Sequence, residues 1–204
     1  MPVTINGDGS IAGLSVGGLG SGVVNTATLA DGAASGSKLT MPTGSSLQTL
    51  STTKTDVTSN YTGSTAIWNT GLTVAITPNH ANNKILVSGY VMISIAGPQH
   101  NIGLLLNKGG TIIDGYRGDA SGSRNRNATN GHNMPDGGYD NYTAAIHFNY
   151  LDTAGGTSAI TYGVSVRNPS GSARTIYMNR ANTDTDNQYH YRTASTITVM
   201  EIKV

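Results

Sequence analysis

The chain has no cysteine, which excludes disulfide staples, thiolate metal ligands and cysteine nucleophiles. Charge is nearly as scarce: 12 Lys+Arg and 11 Asp+Glu in 204 residues leave a net charge of +1. Nucleic acid demands a dense basic footprint to displace counterions. Here Arg117, Arg124, Arg126, Arg167, Arg174, Arg180 and Arg192 are scattered along the chain, so nucleic acid is not an expected partner. No apolar run approaches the roughly 20 residues of a membrane-spanning helix, and membrane insertion is not expected. The opening "MPVTINGDG" has neither the basic stretch nor the apolar core of a secretory signal.

The motifs of common chemistries are missing too. There is no G-x-S-x-G elbow, no H-E-x-x-H and no lysine after a phosphate-binding glycine loop, and Glu201 has no evident carboxylate partner. His80, His100, His132, His147 and His190 form no close-spaced pair, so they read as structural or solvated and no metal or other cofactor is expected. Asp184 and Asp186 in "NTDTDNQ" alternate as in a calcium loop, but without the later bidentate glutamate they suit a polar turn better. An enzyme is therefore disfavoured.

The aromatic residues divide the sequence. The first is Tyr61, and everything before it is Gly, Ser, Thr, Ala and small aliphatics. Composition places a boundary between a segment 1–48 and a domain 49–204. In "IAGLSVGGLGSGVV", Ile11, Leu14, Val16, Leu19 and Val23 stand among glycines, and "TLADGAASGSKL" spaces its apolar residues as one short helix would. Flexible linkers rarely carry aliphatics so regularly. Glycines permit close backbone approach, but the segment has too little apolar surface to offset its own ordering entropy. It is expected to order only against copies of itself or a partner, and the aliphatics are the candidate attachment residues.

The rest alternates with period two. "LTVAITP" sets Leu72, Val74 and Ile76 against Thr73, Ala75 and Thr77, and "KILVSGYVMISIAG" reads as a strand buried along much of its length. "NIGLLLNKGGTIIDGY" is a hairpin bending at Lys108–Gly110. "YTAAIHFNYLD" opposes Ile146, Phe148 and Tyr150 to His147 and Asn149, and "TITVMEIKV" puts Ile197, Val199, Glu201 and Lys203 on one side. Eight to ten short strands without a convincing long helix predict an all-β fold, a β-sandwich of jelly-roll type.

Two polar segments interrupt this pattern. "RGDASGSRNRNATNGHNMPDGGYDN" and "RANTDTDNQYHYRTA" are rich in amides, arginines and tyrosines, groups suited to sugar recognition by hydrogen bonding and ring stacking. Arg124, Arg126, His132, Tyr139, Tyr189 and Tyr191 are the candidate receptor contacts, and the two loops are expected at one end of the sandwich.

The leading segment with "LQTLSTTKTDV" resembles the start of phage tail-fibre-like structural proteins. The order "LTVAITPNHANNKILVSGYVMI", "GLLLNKGGTII", "GDASGSR", "NYLDTAGGTSAITYGV", "IYMNR", "STITVMEIKV" resembles their β-rich C-terminal module. That resemblance, to the type of cyanobacterial and marine phages, implies a homotrimeric virion protein. Its N-terminus would bind other virion proteins of the tail or capsid, and its knob would touch a host cell-surface glycan or protein. A head fibre or capsid decoration protein without receptor binding is the alternative.

Overall fold

The computed structural model describes residues 4–5, 7, 11–12, 41–97, 101–131, 141–168 and 170–204. The chain divides into two compact units, Met1–Pro42 and Thr43–Val204. In the first, β1 (Thr4–Ile5) pairs antiparallel with β2 (Ile11–Ala12), Ile5 opposite Ile11. Ile11 therefore lies on a strand, while Leu14, Val16, Leu19, Val23 and the expected short helix lie outside the described residues.

The second unit is an all-β sandwich of two antiparallel sheets. Its strands are β3 (Ser46–Lys54), β4 (Thr58–Thr62), β5 (Ile67–Ile76), β6 (Lys84–Ile95), β7 (Gly103–Lys108), β8 (Thr111–Ile112), β9 (Thr129–Asn130), β10 (Ala144–Thr153), β11 (Ile160–Arg167), β12 (Arg174–Met178) and β13 (Ser195–Ile202). In one sheet β6 has β10 along one edge. Its other edge carries β13 against residues up to Tyr90, then β12 from Ile93. β3 flanks β13 and β4 flanks β12, so β12 and β13 share one lane and β3 and β4 share the lane beside it. In the other sheet β11 lies between β5 and β7, and the far edge of β7 carries β9 near Gly103 and β8 near Lys108.

Alternation determines what goes inside. Leu72, Val74 and Ile76 meet Ile85, Val87, Val91, Ile93, Leu104, Leu106, Ile146, Phe148, Tyr162, Val164, Ile176, Ile197 and Val199 in one core. Burying a side chain of this size stabilises by about 1.5–3 kcal/mol. The stretch from Lys84 is buried along much of its length, with Ile85, Val87, Val91 and Ile93 inward and the alternating Leu86, Ser88, Tyr90 and Met92 half covered. The hairpin bend falls at Gly109 and Gly110, both at positive φ. His147 faces away from Phe148 and packs beside Tyr90, ring centroids 5.8 Å apart.

The chain enters the sandwich where Gly44 N–H donates to Lys203 O and Lys203 N–H to Ser45 O. Turns 77–83 and 154–159 lie at this end, since Lys84 pairs with both Thr153 and Ile202. Glu201, the only glutamate in the sequence, is fully buried here. Its carboxylate accepts from Gln48 Nε2 (2.6 Å), Asn79 N (2.7 Å), Asn79 Nδ2 (2.9 Å) and Asn83 Nδ2 (2.6 Å). Burial pushes its pKa up, but these hydrogen bonds outweigh burial and hold it below the usual carboxylate range.

Candidate functional site

Two long polar segments leave the sheets, and each interrupts a single lane. Met178 pairs with Ile93 and Thr196 with Tyr90, so β12 and β13 form one lane broken by residues 179–194. The break is closed by side chains. Asn179 N donates to Met92 O at 2.9 Å, and Met92 N donates to Ser195 Oγ at 2.9 Å. Ser195 Oγ in turn donates to Asn179 Oδ1 at 2.6 Å. Asn179 Nδ2 donates to Lys54 O (2.8 Å) and Asp56 O (3.0 Å), on the segment joining β3 to β4. Asn179 is fully buried at φ 62°, a left-handed conformation that asparagine tolerates better than most residues. A polar bracket thus replaces two rungs of the ladder, and the loop starts from fixed ends.

Ion pairs shape the loop beyond that bracket. Asp184 sits between two arginines: Arg180 Nη1 lies 2.9 Å from Oδ2, and Arg192 Nη2 lies 2.7 and 2.8 Å from the two oxygens. Arg180 also stacks over Tyr177, 4.1 Å from the ring centroid. Its carbonyl accepts from Ser94 Oγ at 2.9 Å, which ties the loop to the outer face of the β6 sheet. Further out, His190 N donates to Asn187 O (2.9 Å), Tyr189 N to Asn187 Oδ1 (3.0 Å), and His190 Nδ1 hydrogen-bonds with Thr185 Oγ1 at 2.8 Å.

These contacts leave an open cavity of about 320 Å³ lined by Asp184, Thr185, Asp186, Asn187, His190 and Arg192. Tyr189 and Tyr191, on the same turn of chain, are 58% and 55% exposed. Carboxylate, amide, hydroxyl, imidazole and guanidinium groups converge on a small volume, with two exposed rings alongside. This inventory suits a polyhydroxylated ligand: bidentate hydrogen bonding to vicinal hydroxyls, and stacking of a pyranose face on tyrosine. Among the described residues no group of three or more His, Asp or Glu is placed to hold a metal ion, and Asp184 is committed to its arginines.

The other segment leaves the outer lane of the β7 sheet between β8 and β9. Ile113 N donates to Leu106 O at 2.9 Å on departure, and Ala128 N to Leu104 O at 2.8 Å on return. A 3-10 turn, Asp114–Tyr116, stacks Tyr116 on Tyr150 at 4.8 Å. Arg124 Nη1 donates to Ser121 Oγ at 2.7 Å, and Arg126 Nε donates to Gly118 O at 2.7 Å, so both arginines brace the loop that carries them. Arg167 Nη1 donates to Arg126 O (3.1 Å) and Asn127 Oδ1 (3.2 Å), which anchors this loop on the outer face of the second sheet. The two polar segments thus leave lanes of different sheets at mid-strand rather than from turns at one end of the sandwich, and Tyr116 reaches across to β10, its hydroxyl oxygen accepting from Asn149 N at 3.1 Å. His132 and Tyr139 lie outside the described residues.

Sequence reading singled out Tyr189 and Tyr191 as contacts and placed His190 and Arg192 in the same polar segment, but did not foresee that they would line a cavity with Thr185 and Asn187. Their signal was present, as titratable and amide side chains crowded into eight positions. No spacing rule predicts that such a crowd will curl around a cavity. In comparison with known proteins, no protein-family model matches the chain, and no curated protein matches it either.

Proposed function

We propose that this chain is a phage virion structural protein of the fibre type: a homotrimer joined to the virion by its N-terminal segment, contacting a host-surface glycan through its sandwich. The observation that carries the glycan reading is the cavity at Asp184–Arg192 with Tyr189 and Tyr191 exposed beside it.

The connectivity supports a jelly roll. When the lanes β3/β4, β5, β6, β7, β8/β9, β10, β11 and β12/β13 are counted along the chain, one sheet orders them first, eighth, third, sixth and the other second, seventh, fourth, fifth. This order is consistent with the eight-stranded double-sheet jelly roll of viral capsid and lectin domains and supports that reading. A covering copy is supported by the outer face of the β6 sheet. There Leu151, Leu86 and Met200 stand side by side across three strands, with Leu151 51% exposed. Presented in three copies, a weak sugar contact gains avidity.

Light scattering of the purified protein tests the trimer, and binding to a panel of surface polysaccharides tests the recognition. The reading expects a mass three times that of the chain and at least one polysaccharide bound. A protein that binds none of them, and that labels only heads of particles by electron microscopy, is a capsid decoration protein instead.

A further inference from the structure

Arginines scattered in the sequence meet in the fold at the base of the 113–128 loop. Arg117 and Arg126 share one oxygen of Asp114, Arg117 Nη2 directly and Arg126 Nη1 at 3.4 Å. Arg167 comes from β11 beneath them and gives its Nη1 to two neutral oxygens, Arg126 O and Asn127 Oδ1. Among the described residues no carboxylate lies within salt-bridge distance of Arg167. Among the described residues, Asp114 is thus the one carboxylate paired with Arg117 and Arg126, and Arg167 has none.

The donors are also underused. Arg117 Nε and Arg167 Nε are both buried without a hydrogen-bond partner. Buried donors left unpaired are rare, because each forfeits its hydration without return. Burial first, and then the like charge of Arg117, pushes the Arg167 pKa down. Asp114 is 67% exposed, so the cluster opens to solvent on its side.

We propose that Arg117, Arg126 and Arg167 form an oxyanion-binding site, suited to the carboxylate or sulfate ester of an acidic polysaccharide. A planar or tetrahedral oxyanion accepts forked guanidinium donors and neutralises the excess charge. The site is distinct from the Asp184–Arg192 cavity, which breaks a lane of the other sheet. The oxyanion site stands on its own geometry; its assignment to a polysaccharide rests on the function proposed above.

The test is titration calorimetry of the full chain with sodium sulfate and, separately, sodium glucuronate, then with dextran sulfate and polygalacturonate. The site predicts saturable binding of at least one small anion, weakened about tenfold or more by Arg117→Gln or Arg167→Gln. Lys84→Gln, which removes one positive charge from the other sheet, leaves binding unchanged. Asp114→Asn removes the competing carboxylate and tightens binding, a gain that misfolding cannot imitate should Arg167→Gln fail to fold. Sulfate binding alone assigns sulfate esters, and glucuronate binding alone assigns uronates. Absence of saturable binding by either small anion, or equal loss in Lys84→Gln, overturns the site. Small anions that bind while both polymers do not overturn the polysaccharide assignment and leave the site standing.

Discussion

Replacing Glu201 by glutamine changes one oxygen to an amide NH2 and nothing in shape. In the native protein Oε1 accepts from Asn79 N and Asn83 Nδ2, and Oε2 accepts from Gln48 Nε2 and Asn79 Nδ2. A glutamine keeps one accepting oxygen and aims N–H groups at two donors. Hydrogen bonds to a charged group contribute about 1.5–3 kcal/mol each, and surface-exposed Asn79 can turn its amide away. The net loss expected at pH 7 is therefore about 2–4 kcal/mol, or a Tm lower by roughly 5–15 °C for a domain of this size. The loss also depends on pH, with a fixed sign. Because the folded pKa lies below the unfolded value of about 4.3, the ionised group stabilises the fold above that value. Its contribution fades as pH falls through the folded pKa. Urea denaturation of both proteins from pH 7 down to pH 3 measures this directly. A Glu201→Gln protein within about 0.5 kcal/mol of wild type at pH 7, or a difference that grows on acidification, would refute the reasoning.

Three further outcomes are expected. Tyr162 is fully buried and donates to Asp152 Oδ2 at 2.7 Å; burial first, then that bond, pushes its pKa well above the usual phenol value. Alkaline titration of the ten tyrosines at 295 nm should therefore leave at least one unionised until the protein unfolds, and a complete titration with the fold intact would contradict this. Gly89→Ala should abolish folding, since a Cβ there would collide with the Thr196 carbonyl oxygen, whereas Gly156→Ala, with nothing within 4 Å, should change stability by less than about 0.5 kcal/mol. Circular dichroism of both variants checks the contrast. Ser195→Ala removes the hydroxyl that joins Met92 N to Asn179 Oδ1 and should cost about 1–3 kcal/mol by denaturant titration, a neutral result showing that the lane break needs no bracket.

The sandwich was legible because its strands obey a simple rule. Leu72, Val74 and Ile76, or Ile146 and Phe148, alternate with polar neighbours, and one buried face follows. Interruption of lanes was not legible. "IYMNR" and "STITVMEIKV" read as two strands, and only long-range pairing with β6 reveals one lane with a loop set into it. Glu201 shows a related limit: alternation put it beside Ile197 and Val199 correctly, yet an ionised core residue makes sense only once Gln48, Asn79 and Asn83 converge on it from distant turns. The arginines are the same lesson in charge. Arg117, Arg126 and Arg167 are dispersed in sequence and gathered only by the return of a loop over β11.

The most direct measurement is binding of the full chain to surface polysaccharides by biolayer interferometry, comparing wild type with a Tyr189→Ala, His190→Ala double variant. The account predicts that a polysaccharide captured by wild type is bound at least about tenfold more weakly by the variant, since a stacked ring and an imidazole each contribute on the order of 1 kcal/mol or more. Equal capture by both proteins, with the variant as stable as wild type, would contradict the assignment of the Asp184–Arg192 cavity as the recognition site.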